Sequence, residues 1–348
     1  MPTRAPLLTR GQLVTVIVAV LAVAASVVAL VVTVPPAVRA SQPDVPVRAY
    51  LSAIIAGDVR EALELGRVTK TKADSLLTDA AYDQSSGRIT AFSVLDATVA
   101  SSGRSAAVGV RITQGDDRYD AQFEVERTGA NPFAAWRLAK QHLPEVAFHL
   151  AAPLDRALSI AGVAFTATHG VVTTHVLPGT YAAQDRGDNT YFWAQDAEAT
   201  ATLGATSAGA AVMQLELSPD GGYAAESQVT GWIDRCAASA DLAPDGCPFK
   251  AVPQASVTYS AGKWTIESPP RVDEGEWNAA LGGWPVVTSS PGYVRYTARA
   301  AQGGLTGTAT TGSNPFSVAG TITPQSGGGV RFVPSPTYSG TDTSGALT

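Results

Sequence analysis

A long uncharged segment near the amino terminus constrains this chain more than any other feature. Leu13 to Val34 is a run of 22 residues without Asp, Glu, Lys or Arg. A helix over it would be about 33 Å long, and the hydrocarbon core of a bilayer is about 30 Å thick. A secretory signal has an apolar region of only about 7–15 residues, so the run predicts an uncleaved transmembrane helix at 13–34. Cleavage before Ser41 is the alternative, because Val38 and Ala40 resemble the residues that precede a cleavage site.

The predicted orientation places residues 1–12 in the cytoplasm and the chain from about Ser41 outside. Two arginines precede the uncharged run and two follow it, so positive charge alone does not set the direction. Long domains are exported largely regardless of their own charge. We therefore predict a single-pass plasma-membrane protein that contacts the membrane through Leu13–Val34 and keeps most of its chain outside the cytoplasm.

The two cysteines agree with an oxidising compartment. Cys236 and Cys247 are the only cysteines of the chain, and Pro244-Asp245-Gly246 between them is typical of a turn. In an exported protein this spacing predicts a disulfide. Two free thiols in a reducing cytosol are the alternative, and a zinc site would need two further ligands that the nearby sequence does not offer.

Composition and charge exclude several classes of protein. Hydrophobic residues make up 45% of the chain and charged residues only 16%, which is too apolar for a disordered protein. The formal net charge of −6 leaves no basic surface to neutralise phosphates. We therefore predict a folded protein that does not bind nucleic acid.

Residues 42–143 change from helical to strand periodicity. Val47, Leu51 and Ile54 share one face of a helix predicted within Asp44–Asp83, which Gly57 interrupts. Alternating apolar and polar residues then indicate antiparallel strands with one wet face. Four strands are predicted, at Ile89–Val99, Arg104–Gln114, Tyr119–Glu126 and Ala135–Lys140. The pattern predicts an α+β domain, with helices first and a meander after them.

The same residues resemble a known family. The segments VRAYLSAIIAGDVREALEL, ITAFSVLDATVASSGRSAAVGVRI, FEVERTG and WRL resemble the nuclear transport factor two-like, or cystatin-like cone, domain of bacterial envelope proteins. In that fold a bent sheet wraps around helices and leaves a conical cavity, and it serves enzymes, binders and assembly modules alike. Candidate lining residues of such a cavity are the aromatic residues Tyr50, Phe92, Phe123 and Trp136. They could hold a small apolar ligand, or they could simply fill the core.

Further along, the sequence predicts two more folded regions and a tail. Residues 144–219 form a small β-rich module in which Ala151–Leu158 is the one predicted helix. Residues 220–334 form a second α+β domain, because Val229, Trp232, Ile233 and Cys236 again have helical spacing. This domain is either a diverged copy of the first or a coincidence of amphipathic spacing. Residues 335–348, rich in Ser, Thr and Gly, predict a flexible tail.

The predicted fold class is therefore α+β. An N-terminal transmembrane helix is followed by cone-like domains of helices and antiparallel sheet, which flank a small β module.

Motifs that carry catalytic chemistry are missing from the sequence. It contains no Gly-x-Ser-x-Gly elbow, Walker loop, Gly-x-Gly-x-x-Gly or His-Glu-x-x-His, so we predict neither catalysis nor a cofactor. His169 and His175 are six residues apart, but Gly170 interrupts the strand and no carboxylate is close in sequence, so no metal site is predicted. Glu274 and Glu276, on either side of Gly275, indicate a charged loop.

The predicted function is that of a non-catalytic, outward-facing, single-pass protein of the cell envelope. It would bind a small apolar ligand or assemble with another envelope protein. One alternative is a cone-fold enzyme that uses carboxylates in a pocket, which an inward-pointing acid with a raised pKa would favour. The other is an accessory factor of cell-wall synthesis or secretion.

Overall fold

A computed structural model of the protein describes residues 42–129, 131, 134–205, 207–335 and 344–346. The predicted cytoplasmic segment 1–12 and the uncharged run Leu13–Val34 lie outside these residues. No helix within the described residues is both long and apolar enough to cross a bilayer.

Strands, not helices, dominate the described chain. Strands hold 48% of it and helices 15%. The helices are Val45–Ala56 (α1), Val59–Leu65 (α2), Asp79–Asp83 (α3) and Pro219–Ala237 (α4). The prediction of an α+β class with cone-like domains of helices and sheet is therefore wrong, and the described chain is a β-rich fold of several sheets. The physical reason is that three of the four helices have twelve residues or fewer, so sheets bury most of the core.

The chain divides into two compact units that do not follow its linear order. The first unit contains the described residues up to Thr71 together with Arg88–Leu143, and the second contains Lys72–Gly87 and the described residues from Pro144 onward. Helix α3 therefore belongs to the second unit, although its sequence continues the helical pattern of the first. The predicted division into 42–143, 144–219 and 220–334 remains a prediction.

The first unit packs α1 and α2 with one antiparallel sheet. Its strands, which pair in chain order, are Ile89–Val99 (β1), Ser105–Gln114 (β2), Asp117–Arg127 (β3) and Trp136–Leu138 (β4). Gly57 ends α1 with a φ of 80°, and the Asp58 carboxylate begins α2 by accepting a hydrogen bond from the Glu61 amide at 2.8 Å. Val47 and Ile54 of α1 are fully buried, as the predicted stripe requires.

The second unit begins with three sheets. Their strands are Glu145–Leu150 (β5), Arg156–Ile160 (β6), Val163–Ala167 (β7), Val171–His175 (β8), Gly179–Asp185 (β9), Phe192–Ala194 (β10), Ala197–Ala201 (β11), Gly209–Met213 (β12) and Leu215–Leu217 (β13). One sheet has the order β11-β9-β6-β7, the second β12-β5-β8, and β10 pairs with β13. Only β12 and β5 run parallel among these pairs.

Three further sheets follow α4. Their strands are Lys250–Val252 (β14), Thr258–Ser268 (β15), Arg271–Glu274 (β16), Trp284–Ser290 (β17), Gly292–Gln302 (β18), Leu305–Thr310 (β19), Asn314–Phe316 (β20), Ala319–Pro324 (β21), Val330–Pro334 (β22) and Ser344–Ala346 (β23). One sheet has the order β15-β18-β19 with β20 beside β18, another β16-β17-β21-β22, and β14 pairs with β23. Three residues of the predicted flexible tail therefore pair with β14.

The helix predicted at Ala151–Leu158 is wrong. Residues 151–155 have no regular structure, and β6 begins at Arg156. Leu154 is buried and the Arg156 side chain joins a buried ion pair, so contacts with distant residues hold this segment extended. Tertiary contacts of this kind routinely outweigh helix propensity.

The helix predicted from Val229, Ile233 and Cys236 is confirmed as part of α4. All three side chains are buried. The predicted disulfide is also present: Cys236 and Cys247 are bonded, with their Cα atoms 5.7 Å apart. The bond closes the loop that follows α4.

Replacing both cysteines by alanine is expected to lower the free energy of unfolding by about 3 kcal/mol without abolishing the fold, because the bond restricts a loop of about twelve residues in the unfolded chain. Urea unfolding of the full chain measures this loss, and reduced wild-type protein is the matched control. Two freely alkylatable thiols in protein taken from the cells that produce it, shown by intact mass without reductant, would contradict the pairing.

Candidate functional site

The aromatic residues predicted to line a cavity lie in the first unit. Tyr50 is fully buried, Phe123 and Trp136 are 3% and 6% exposed, and Phe92 on β1 is half-buried. The structure brings Tyr50 and Phe123 into edge-to-face contact at 6.1 Å, and the Arg127 guanidinium lies 4.4 Å from the Trp136 ring centre. These contacts are typical of a core, and an apolar ligand among them remains a prediction.

The structure places His169 and His175 in different surroundings. The His169 amide donates to Asp155 at 2.8 Å, whereas the His175 ring lies between two carboxylates. Its Nδ1 is 2.9 Å from Asp74 Oδ1, and its Nε2 is 3.1 Å from Glu145 Oε1. The partner Asp74 comes from a segment 101 residues away, so local spacing in the sequence did not reveal it. No group of three metal-ligating side chains is present among the residues that the structure describes.

A cleft in the second unit is the strongest candidate for a functional site. It has a volume of about 1000 Å³, at the upper end of the usual range for small-molecule sites. The β10–β13 pair, the start of α4, and the β16–β17 hairpin each contribute to its wall. We call it the acidic cleft, because its charged side chains are Glu216, Glu226, Glu274 and Glu276.

The first wall is the end of the β10–β13 pair. In its register Trp193 lies opposite Glu216, and the Gln195 amide beyond the strand donates to Gln214 O at 2.8 Å. The Gln195 side chain also donates to the Glu216 carboxylate. This wall therefore presents the Glu216 carboxylate, which accepts a hydrogen bond from the Gln195 side chain, and the Gln214 side chain.

The second wall is the first two turns of α4. Ser218 caps the helix: its Oγ accepts from the Gly221 amide at 2.9 Å and donates to Thr190 O at 2.5 Å. A Cβ on Gly221 would lie 2.0 Å from Tyr191 O, so only glycine permits this close approach. The helix start is thereby fixed against the chain before β10, and Tyr223 and Glu226 face the cleft.

The third wall is the β16–β17 hairpin. Trp284 is 2% exposed and forms the base, with Trp277 packed edge-to-face on it at 5.1 Å. The loop between β16 and β17, residues 275–283, carries Trp277 and is closed by a hydrogen bond from the Asn278 amide to Gly283 O at 2.9 Å. Trp277 Nε1 is buried and has no hydrogen-bond acceptor among the described residues. The hairpin therefore presents an aromatic surface, and the indole N–H of Trp277 is covered by protein atoms.

Glu274 is the carboxyl group of the cleft whose pKa is raised above its ordinary value. Burial raises the pKa of Glu274, and its own backbone amide partly opposes this. The negative charges of Glu226 and Asp273 raise the pKa further. Carboxylates on α4 and β16 therefore interact across the cleft, and Glu274 holds its proton more readily than an ordinary glutamate.

A smaller hollow of about 460 Å³ lies along α4 and β22. Trp232 and Phe332 pack edge-to-face at 5.7 Å beside it, and Arg235 and Arg331 supply positive charge. Gln228 closes one side, since it donates to Val330 O and accepts from the Phe332 amide. These contacts join α4 to β22 and are structural. The acidic cleft is therefore a stronger candidate for a ligand site than this smaller hollow.

Sequence reasoning found part of the cleft and assigned it differently. The sequence predicts a charged loop at Glu274 and Glu276, and these residues do lie at the end of β16 and in the loop after it. Their loop also carries Trp277, and the combination of carboxylates with an aromatic residue is the signal that could have indicated a site. Gln214, Glu216, Tyr223 and Glu226 give no local signal, since they converge only in the folded chain.

No protein-family model, curated protein or solved structure matches this chain. The fold and the acidic cleft therefore carry the functional argument by themselves.

Proposed function

We propose that this protein is a non-catalytic, exported binding protein of the cell envelope, and that its ligand occupies the acidic cleft. The single observation that carries the proposal is the cleft itself, which combines a large volume, aromatic walls and several polar groups. Large clefts with aromatic walls are the usual places where proteins hold small molecules.

The disulfide indicates an extracellular or secreted protein. The finer part of the proposal is that Leu13–Val34 keeps the chain attached to the plasma membrane, with residues 1–12 in the cytoplasm. The length and lack of charge of that run support this part. The cleft would then face the outside, where an envelope protein meets its ligands.

One observation favours the enzyme alternative. Glu274 has a raised pKa and faces a second carboxylate, Glu226, and such a pair can act as general acid and base. Acidic side chains gathered in one cleft raise each other's pKa without any catalysis, however, so binding remains the simpler function. The accessory role in cell-wall synthesis or secretion is compatible with binding and gains no separate support from the cleft.

The cleft is tested by isothermal titration of the full chain in detergent micelles. The probes are spermidine, citrate, a trimer of N-acetylglucosamine and a trimer of glucosamine, which differ in charge and in hydroxyl content. We expect saturable binding of at least one probe. Replacing Trp277 by alanine should weaken that binding by about tenfold or more, since aromatic side chains supply much of the contact area of such sites.

The matched control is Trp232→Ala, which removes an indole beside the smaller hollow. It should leave the affinity unchanged within about twofold. Binding that Trp232→Ala abolishes and Trp277→Ala spares would contradict the proposal, as would the failure of all four probes. Release of a cleaved product from any probe would favour the enzyme alternative instead.

A further inference from the structure

The wall of the acidic cleft carries negative charge and no positive side chain. None of its lining residues is Lys, Arg or His, and within the described chain none of its four glutamates forms an ion pair. Elsewhere in the second unit carboxylates have arginine partners, such as Glu267 with Arg295 at 2.6 Å. Like charges on one surface repel unless a counter-charge joins them. A cationic ligand would supply that counter-charge.

The aromatic side chains of the cleft add a second requirement. Tyr223 is 71% exposed although it is a large ring on a helix, and Trp277 stands on the buried Trp284. Aromatic faces attract cations and also cover flat apolar surfaces of a ligand. The exposed ring of Tyr223 is therefore placed to contact a ligand rather than the protein core.

The hydrogen-bonding groups of the cleft add a third requirement. The Gln214 side chain lines the cleft, is exposed, and has no hydrogen-bond partner in the described part of the chain. A ligand that carries only amines gives its amide N–H groups nothing to donate to, whereas a hydroxyl oxygen would accept from them. The carboxylates accept from hydroxyl groups as well as from amines. The cleft thus suits a cation that also bears hydroxyl groups.

We propose that the acidic cleft binds an oligosaccharide with free, protonated amino groups, a proposal that rests on the proposed function. The ammonium groups lie against Glu226 and Glu274, the sugar rings against Tyr223 and Trp277, and a hydroxyl oxygen accepts from the Gln214 side-chain amide. The volume of about 1000 Å³ suits an oligomer rather than a single small ring.

Two matched trimers test the charge requirement in the full chain. The glucosamine trimer and the N-acetylglucosamine trimer offer the same rings, and acetylation removes only the positive charges. At mildly acidic pH, where the sugar amines are protonated and a bound ammonium group favours the ionised form of Glu274, we expect the glucosamine trimer to bind at least about tenfold more tightly, the scale of one charge-assisted hydrogen bond. Spermidine, which has the charge without hydroxyl groups, should bind more weakly than the glucosamine trimer. Added salt should weaken the amino-sugar binding by screening.

Two variants locate the binding. Glu274→Gln and Glu226→Gln should each lower the affinity for the glucosamine trimer about tenfold and change that for the acetylated trimer by less than about twofold. Glu198→Gln, which alters an exposed carboxylate on β11 outside the cleft, is the control and should change neither. Glu226 lies on the exposed surface of α4, so its variant keeps the test valid if Glu274→Gln does not fold.

The outcomes separate this inference from the proposed function. Equal affinity for the two trimers would overturn the charge requirement, and spermidine binding as tightly as the amino sugar would overturn the sugar requirement. In both cases the cleft would still be a binding site. The absence of binding by any probe would overturn the inference and the proposed function together.

Discussion

Replacement of Arg156 by methionine is expected to lower the free energy of unfolding of the second unit by about 3–5 kcal/mol, because it leaves a carboxylate buried without its partner. The side chains of Arg156 and Asp185 are 5% and 4% exposed, and Arg156 Nη2 lies 2.7 Å from Asp185 Oδ2. The guanidinium also donates to Asn189 at 2.6 Å and lies 4.7 Å from the Phe192 ring centre. Urea unfolding measures the loss, and tryptophan fluorescence reports mainly the second unit, because Trp136 is the only tryptophan of the first.

Arg295→Met is the matched control, since it breaks an arginine–carboxylate pair on a sheet surface. Arg295 and Glu267 are 42% and 29% exposed, and exposed pairs contribute about 0–1 kcal/mol. Addition of Asp185→Asn to Arg156→Met should recover part of the loss, because it removes the buried charge. The recovery should be incomplete, since the two oxygens of Asp185 accept from the Gly187 amide at 2.8 Å and the Ala194 amide at 2.7 Å, and asparagine keeps only one acceptor oxygen. Equal costs for the Arg156 and Arg295 variants would refute the explanation.

The consequence for the cleft follows from where Arg156 acts. Its donors reach Asn189 and the carbonyl oxygen of Phe192, so it orders the chain that leads into β10. That chain also receives the hydrogen bond from Ser218 at the start of α4. Arg156 therefore does not line the acidic cleft, but it helps to position two of its walls, the β10–β13 pair and the start of α4.

Truncation of Trp264 to alanine is expected to cost about 3–5 kcal/mol, the usual range for a buried tryptophan. Trp264 is 4% exposed, and its ring centre is 4.7 Å from those of both Phe249 and Tyr296. Its Nε1 donates to Asp241 O at 2.8 Å. The side chain thus holds the disulfide-closed loop after α4 against β15 and β18. Circular dichroism during urea unfolding measures the loss.

Trp264→Phe is the graded comparison for that prediction. It keeps a ring in the cluster and removes the hydrogen bond to Asp241 O, so it should cost about 1–3 kcal/mol, less than the alanine variant. A cost below about 1 kcal/mol for Trp264→Ala would show that the cluster can collapse around the gap, and that the loop is held mainly by its disulfide.

Local periodicity accounts for the elements that sequence reasoning placed correctly. Strand β2 alternates buried and outward-facing side chains as predicted, and the buried face of α4 is the stripe that ends at Cys236. Both patterns depend on the repeat of the backbone itself, which is two residues in a strand and about 3.6 in a helix. The disulfide could be predicted too, because a turn separates two cysteines in one short loop.

The fold class could not be obtained from those periodicities, because it depends on which elements share a core. Residues 72–87 continue a helical pattern, yet they belong to the second unit, where the Tyr82 hydroxyl donates to Pro178 O at 3.1 Å. The segment before β6 has helical spacing, yet the ion pair of Arg156 with Asp185 holds it extended. Contacts across tens of residues decided both cases.

The sequence by itself determined the local elements of this protein, its single disulfide and an uncharged run long enough to span a membrane. Only the tertiary structure decided that the described chain is β-rich. It also decided that four glutamates and three aromatic residues from distant strands, from α4 and from the loop after β16 meet in one cleft. The physical reason is that periodicity is a property of neighbouring residues. The burial of charge and the convergence of side chains depend instead on the whole pattern of chain packing, which no short segment encodes.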